Sequence, residues 1–305
     1  MIDAAHPKTA ARWLPYAALA LGLCVFATGA VFVRMAQAEQ IPSLAIAVLR
    51  YFFAVMILSP QLLTRHGAEI RRLAARDFLL IALTGTTFAI ALFCFFTALE
   101  HTTILIANLF SNTHPLWVGL IEALVLKALL DRRVWLGLLL ALGGGALFSL
   151  SGLAGGADMG ANPPLGMLFA LGSALLSTTY FILIRTLRAR ISTLALLWLS
   201  LMFGLALLLV MALLTGTALT GYSVQGYLWI LLVSITGQVA GQYLLTYTLA
   251  HLPATFVSVS MLAQVILSAV LAFFAFGEQP GAVQVVASGV ILTGVVVVMT
   301  ARTRA

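Results

Sequence analysis

The sequence predicts an all-α membrane protein whose ten transmembrane helices form two inverted five-helix repeats, with the N and C termini cytoplasmic. Three observations predict this fold: the composition, the length of the apolar stretches, and an internal repeat. Of the 305 residues, 62% are hydrophobic and 8% are charged, whereas a soluble domain has about 25% charged residues. This composition excludes a water-soluble domain, a disordered chain and a disulfide scaffold.

Ten apolar stretches are long enough to cross the hydrocarbon layer of a bilayer, which takes about 20 helical residues. They are rich in leucine and alanine without alternating polar residues, which favours helices over barrel strands. In chain order the predicted spans are 14–33, 43–63, 78–97, 102–126, 134–154, 164–184, 191–214, 226–249, 253–276 and 281–300. The short connections between them leave no room for a soluble domain.

The basic residues predict the orientation of these spans. With the N-terminus in the cytoplasm, the cytoplasmic segments contain all of the 16 Lys and Arg residues except Arg34 and Arg50. The outer loops carry acidic residues instead, namely Glu39, Glu100, Asp158 and Glu278. This distribution follows the positive-inside rule. We therefore expect a multi-pass protein of the bacterial inner membrane, and the net charge of +7 does not indicate nucleic-acid binding.

The chain contains the same unit twice, at an offset of about 150 residues, which is the kind of repeat that must be sought before a fold is assigned. Residues 97–101 align with residues 247–251. The predicted repeats cover 14–154 and 164–301. Each has five spans, an odd number, so the second repeat must enter the membrane from the opposite side. Many secondary transporters build two gates around one central site in this way, although duplication by ancestry alone would leave the same pattern.

Several short motifs resemble the drug/metabolite transporter superfamily, EamA-type. The matching residues are Leu49-Arg50-Tyr51-Phe52 in the second span, Ala98-Leu99 before Ala107, Pro115 in the fourth span, and Gly277-Glu278 followed by Gly289 and Gly294. Asp131 departs from the pattern, because the family usually has Glu at that position of the first repeat. The resemblance covers residues 14–300. It implies a ten-helix carrier of amino acids or other metabolites, most often an exporter, and it leaves the substrate open.

The polar residues within the spans predict where a substrate would bind, because such residues normally face the bundle interior or a watery cavity. The fourth span carries most of them, and His114 lies at its centre. Gln264, the counterpart of His114 at an offset of about 150 residues, lies at the centre of the ninth span. The predicted substrate-binding residues are Asn108, Asn112, His114, Gln238, Gln242, Ser260 and Gln264. As an alternative, Gln238 and Gln242 form hydrogen bonds between helices, and Gly237 and Gly241 allow close packing.

Two charged residues inside spans allow two interpretations each. Arg50 lies about 10 Å along the second helix, where it either snorkels or pairs with Glu39 or Glu100, or attracts a substrate carboxylate at the outer mouth. Glu122 is either a gate residue or a snorkelling surface residue. No carboxylate lies at the midplane, so either His114 carries proton coupling or the protein is an uncoupled facilitator.

The sequence predicts a secondary transporter that moves small polar organic metabolites by alternating access, with amino-acid or metabolite export as the first expectation. The alternatives are an importer or efflux carrier for a vitamin, nucleobase or drug, an uncoupled facilitator, and a membrane component that transports nothing. No enzyme motif occurs, and no cofactor or metal site is predicted. The expected partners are a small-molecule substrate and the lipid bilayer, and both a monomer and a homodimer remain open.

Overall fold

The computed structural model describes residues 13–65, 69–70, 73–102, 107, 110–124, 131–151, 162–276 and 281–300. Over these residues the chain is helical between short turns and contains no strand. The helices are α1 Leu14–Ala38, α2 Ser43–Arg65, α3 Ala75–His101, α4 His114–Leu124, α5 Arg132–Ser151, α6 Pro163–Arg188, α7 Thr193–Thr215, α8 Val224–Leu249, α9 Ala254–Ser260, α10 Ala263–Phe276 and α11 Ala282–Thr300.

Six of these helices are long and apolar enough to cross a membrane, namely α1, α2, α3, α6, α7 and α8. They correspond to predicted spans one to three and six to eight, and they make the chain a multi-pass membrane protein. α11 contains a shorter apolar stretch, Val285–Val298. Residues at the boundaries of α7 account for where this helix begins and ends. Ser192 caps α7 by accepting a hydrogen bond from the Ala195 amide at 3.4 Å, and Gly216 ends it with φ 66°, a left-handed conformation that favours glycine.

The predicted fourth and ninth spans are not continuous helices. A turn at residues 112–113 precedes α4, and a turn at residues 261–262 separates α9 from α10. Pro115 accounts for the first interruption, because proline has no amide hydrogen to donate and disfavours helical backbone in the residue before it. The second turn has no proline and is held by i→i+3 hydrogen bonds such as Gln264 N–H to Met261 O, 3.0 Å. The two turns lie at corresponding places of the repeat.

Four helix pairs each combine one helix from the first half of the chain with one from the second half. α1 packs on α8, and α3 packs on α6. By the repeat alignment α6 is the counterpart of α1, and α8 is the counterpart of α3, so these two contacts are equivalent. Two other pairs join equivalent helices directly, α2 with α7 and α5 with α11. This is the contact pattern that two repeats related by a two-fold axis would make.

Two glutamates bind serines of the opposite half of the chain. Glu39, before α2, accepts a hydrogen bond from Ser223 Oγ at 2.6 Å. Glu69, after α2, accepts from the Ser192 amide and from Ser192 Oγ, both at 2.6 Å. Because Glu39 and Glu69 lie at opposite ends of α2, the two halves are joined at both ends of this helix.

The α5–α11 pair depends on glycines at its crossing point. A Cβ placed on Gly294 would lie 2.5 Å from the Ala141 nitrogen and 2.6 Å from the Gly137 oxygen. Such distances are far below van der Waals contact, so the two backbones could not approach this closely with any other residue. Gly289, on the same helix, has nothing within 4 Å of the equivalent position.

We expect Gly294→Ala to lower the stability of the protein by about 1–3 kcal/mol, the usual cost of overpacking, because the added methyl group must separate α5 from α11. Gly289→Ala is the matched control and should leave stability unchanged or slightly improved, since alanine is the better helix former. Thermal unfolding of both purified variants in detergent checks this. Equal stabilities would mean that the crossing point tolerates a side chain.

Candidate functional site

Six polar side chains from four helices meet inside the bundle. α2 contributes Arg50 and Tyr51, α6 contributes Tyr180, α7 contributes Ser200, and α8 contributes Gln238 and Gln242; we call this set the central polar cluster. All six are buried, and all except Arg50 line one cavity of about 10 Å³. A cavity of this size holds about one water molecule. The cluster therefore lies where α2 of the first repeat meets three helices of the second.

Arg50 is the charged member of the cluster, and it is 9% exposed. Its Nε donates a hydrogen bond to Gln238 Oε1 at 3.0 Å, and its Nη2 donates to the same oxygen. Arg50 therefore does not snorkel to the surface. Of the two carboxylates considered as partners of Arg50, Glu39 accepts a hydrogen bond from Ser223 Oγ. The side chain of Glu100 lies outside the described residues, and no described carboxylate forms an ion pair with Arg50.

A local change in helix type presents Gln238 to Arg50. Ser234–Gly241 within α8 is a π-helix, in which i→i+5 hydrogen bonds accommodate one extra residue; such segments occur frequently at functional sites. Gly237 lies beside the guanidinium, and a Cβ there would meet Arg50 Nη2 at an ordinary contact distance of 3.6 Å. Gly241 serves close packing, because a Cβ there would lie 3.1 Å from the Phe26 ring.

Tyr180 connects α6 to the cluster. Its hydroxyl donates to Gln242 Oε1 at 3.2 Å, and its ring lies 4.4 Å from that of Phe88, between centroids. The next residue, Phe181, contacts the His114 ring at a centroid distance of 5.4 Å. Through these two neighbouring aromatic residues, the start of α4 lies beside the cluster without being part of it.

Six buried polar side-chain atoms have no hydrogen-bond partner among the described residues: Tyr51 OH, His114 Nε2, Arg188 Nε, Ser200 Oγ, Gln238 Nε2 and Thr246 Oγ1. Three of the six belong to the central polar cluster. A buried polar atom without a partner costs about 1–3 kcal/mol, and it calls for an explanation such as a missing ligand. The three in the cluster belong to residues that line one cavity, which makes the central polar cluster the candidate binding site.

His114 supports the proline turn that precedes α4. Because Pro115 cannot donate to the Ser111 carbonyl, that oxygen needs another donor, and His114 Nδ1 lies 3.2 Å from it. A carbonyl only accepts, so Nδ1 carries a hydrogen in this contact. His114 Nε2 is buried and has no described partner. Thr178 Oγ1 also donates to the His114 carbonyl, at 3.3 Å.

The structure brings together only part of the predicted set of seven residues. Gln238 and Gln242 belong to the cluster, while His114 and Ser260 lie on α4 and α9, which pack together. Ser260 Oγ donates to Phe256 O of its own helix at 2.8 Å.

Of the other three predicted residues, the structure describes two, and neither belongs to the cluster. Asn112 is in the turn before α4, and Gln264, at the start of α10, is half-buried. No side-chain hydrogen bond joins Gln264 to a described residue. Asn108 lies outside the described residues, as does the side chain of Glu122.

Sequence reasoning did not assign three cluster members, Tyr51, Tyr180 and Ser200, to the binding site. Tyr51 belongs to the Leu49-Arg50-Tyr51-Phe52 motif and Tyr180 follows Ser177-Thr178-Thr179, but neither pattern by itself indicates a binding role. Arg50 was the available signal, because a charge in the middle of a span requires partners on the neighbouring helices.

The cluster offers one positive charge, amide groups and hydroxyls, which suits binding rather than covalent chemistry. Among the described residues no group of three or more His, Cys, Asp or Glu side chains could hold a metal ion.

The family model of the EamA-like transporters matches the chain twice, over residues 13–150 and 164–300. The chain belongs to the EamA-like transporter family. The family resemblance of the motifs is therefore confirmed, and the family is one of membrane transporters of small molecules rather than of enzymes. Among 29 matching chains of solved structures, one crystal structure superposes with a TM-score of 0.79 at 19% identity, covering 93% of this chain and 95% of that one; this likeness concerns the fold. No curated protein sequence matches.

We expect Gln238→Ala to destabilise this EamA-like protein more than Gln242→Ala does. The two substitutions remove the same volume, but Gln238 accepts from a charged guanidinium and Gln242 accepts from a neutral hydroxyl. Hydrogen bonds to charged groups contribute about 1.5–3 kcal/mol, against about 0.5–1.5 kcal/mol for neutral ones. Thermal unfolding in detergent measures both variants. A larger loss for Gln242→Ala would mean that the Arg50 charge has another acceptor.

Proposed function

We propose that this protein is a secondary carrier of the bacterial inner membrane that exports amino acids or related small polar metabolites by alternating access. Family membership supplies the general class, a membrane transporter of small molecules. The central polar cluster is the observation that carries the finer proposal. It is buried, it lies between helices of both halves, and it contains polar atoms that lack partners among the described residues.

Segments 14–154 and 164–301 act, in this proposal, as two inverted repeats with cytoplasmic termini, and each repeat opens one side of the cluster. The cavity of about 10 Å³ admits about one water molecule, so a metabolite requires the helices around it to separate. The Glu39–Ser223 and Glu69–Ser192 hydrogen bonds join the halves at opposite ends of α2. Opening to one side would separate the halves at one end while the other end stays joined.

The substrate-binding residues that we propose are the seven predicted from the sequence, with the remaining members of the central polar cluster added. Gln238 and Gln242 contact the substrate directly in this scheme. His114, Asn108, Asn112, Ser260 and Gln264 would contribute as the segments around the two turns move. The amide and hydroxyl lining suits a polar metabolite, and the adjoining rings of Phe88 and Tyr180 would tolerate an apolar side chain.

Counterflow in proteoliposomes tests this proposal. Purified protein is reconstituted into vesicles preloaded with one unlabelled amino acid, and uptake of the same labelled amino acid is followed for each member of a panel. We expect saturable accumulation for at least one amino acid. Gln242→Leu should reduce this uptake by about tenfold or more, as loss of a buried polar contact does. Gln225→Leu, at the exposed start of α8, is the control and should transport normally.

Uptake of vitamins or nucleobases in the same assay, with no amino acid moved, would replace amino-acid export by another carrier activity. Non-saturable flux would indicate a channel-like facilitator. The absence of flux for any compound would contradict the proposal of a carrier.

Two substitutions at His114 separate support of the turn from a role in transport. His114→Asn keeps a donor near the position of Nδ1, and His114→Gln keeps a polar atom near the position of Nε2. If Nε2 faces the substrate or carries a proton, His114→Asn should fold normally and lose counterflow, whereas a merely structural histidine would be rescued fully. Folded yield by size-exclusion chromatography and counterflow rate are measured on both variants. Normal transport by His114→Asn would remove Nε2 from the mechanism.

A further inference from the structure

The central polar cluster contains a charge that a site for neutral groups does not need. Arg50 is 9% exposed and lies within the apolar span Ser43–Leu62. A charged side chain inside a membrane span is costly, and it persists where it pairs with another group or serves a substrate. The Arg50 charge therefore requires a group that balances it.

The protein partner of Arg50 is a neutral amide. A guanidinium presents its N–H groups as a fork that matches the two oxygens of a carboxylate. Here Nε, at 3.0 Å, and Nη2 both donate to the single oxygen Oε1 of Gln238. No carboxylate within the described part of the chain takes that position. Gln238 thus offers one neutral oxygen to the guanidinium edge at which a carboxylate would offer two charged oxygens.

We propose that Arg50 binds the carboxylate of a small monocarboxylate or zwitterionic substrate, and that Gln238 Oε1 occupies the place of this carboxylate in the conformation described here. The proposal rests on the function proposed above, and it names the chemical class of the substrate. When the substrate enters, its two oxygens take over the Nε and Nη2 edge of the guanidinium.

The unpartnered hydroxyls of the cluster support this assignment independently. Tyr51 OH and Ser200 Oγ are buried, lack a partner among the described residues, and line the cavity beside Gln238. A carboxylate has about four acceptor sites on its two oxygens, so it can accept from hydroxyls as well as from the guanidinium. One carboxylate would thus satisfy groups that the protein leaves unsatisfied.

Gln238 lies in the part of α8 whose backbone departs from α-helical hydrogen bonding. The cavity of about 10 Å³ holds about one water molecule, so a carboxylate requires Gln238 to withdraw. Gln238 belongs to the π-helical segment Ser234–Gly241, whose extra residue can be absorbed if the segment tightens toward α-helical pairing.

A single positive charge favours a monocarboxylate over a phosphate. One carboxylate neutralises one guanidinium, whereas a phosphate dianion would bring an uncompensated negative charge into the apolar span, which is unfavourable there. A zwitterion also fits, provided that its ammonium group reaches the neutral oxygens of the cluster, such as Gln242 Oε1.

The first test uses the purified wild-type protein in detergent and simple probes at constant ionic strength. Thermal unfolding is measured against increasing concentrations of benzoate, its neutral isostere benzamide, and inorganic phosphate. We expect benzoate to raise the unfolding temperature saturably, benzamide to have no effect, and phosphate to act at least about tenfold more weakly. Equal effects of benzoate and benzamide, a preference for phosphate, or no saturable effect of benzoate would each overturn the proposal.

The second test supplies the carboxylate from the protein itself. Gln238→Glu should pair internally with Arg50, raise the unfolding temperature without added ligand, and weaken the benzoate effect at least about tenfold. Gln242→Glu, which buries a carboxylate one turn further along α8, is the matched control and should lower the unfolding temperature. An undiminished benzoate effect in Gln238→Glu would overturn the proposal.

Charge-retaining and charge-removing substitutions of Arg50 complete the set. Arg50→Lys should keep a weaker benzoate effect, Arg50→Gln should abolish it, and Arg76→Gln, at the exposed start of α3, should leave it unchanged. A full benzoate effect in folded Arg50→Gln would overturn the proposal. If Arg50→Gln does not fold, Gln238→Glu and the wild-type probes decide the matter.

Failure of this inference and failure of the proposed function give different results. Benzoate binding by a protein without counterflow of any compound would contradict the carrier and leave the Arg50 site intact. Saturable counterflow of compounds that carry no carboxylate, by a protein that ignores benzoate, would overturn the Arg50 site and leave the carrier intact.

Discussion

The buried cation of Arg50 is the constraint on which the centre of the molecule depends. A guanidinium in an apolar span must find acceptors within the bundle, and here the acceptor is Gln238 of the other repeat. The contact therefore joins α2 to α8 across the interface between the halves. The acceptor Gln238 lies within the π-helical segment Ser234–Gly241 of α8.

The two halves of the chain are equivalent in their scaffold and different in their centre. Equivalent helices pack in equivalent pairs, and both long-range Glu–Ser hydrogen bonds join a loop of one half to a loop of the other. The central polar cluster has no such symmetry. At an offset of about 150 residues, Arg50 corresponds to Ser200 and Gln238 corresponds to Phe88. A repeat that keeps its packing while its central residues diverge supports one asymmetric site rather than two symmetric ones.

Symmetry explains why the sequence pointed to His114 and Gln264 before the cluster. Both lie beside the turns that interrupt the predicted fourth and ninth spans, so the equivalence that the sequence indicated concerns backbone turns. His114 Nδ1 replaces the donor that Pro115 lacks. This hydrogen bond supports the backbone of the turn before α4. The polar pair at i and i+4 in the eighth span, Gln238 and Gln242, gave the better guide to the cluster, because its spacing places both side chains on one helix face.

The sequence by itself determined the membrane class, the general positions of the long helices, the repeat and the family. Whether a segment crosses the bilayer depends on its own apolar length and composition, and the repeat and the family motifs are likewise visible in the order of the residues. It also identified Arg50 as a residue in need of an explanation. Only the tertiary structure decided the partner of Arg50, the interruption of the fourth and ninth spans, and the meeting of Tyr51, Tyr180 and Ser200 around one cavity. These depend on which helix faces cross and how closely, and the hydrophobic pattern of a helix surrounded by lipid and by other apolar helices does not encode that choice.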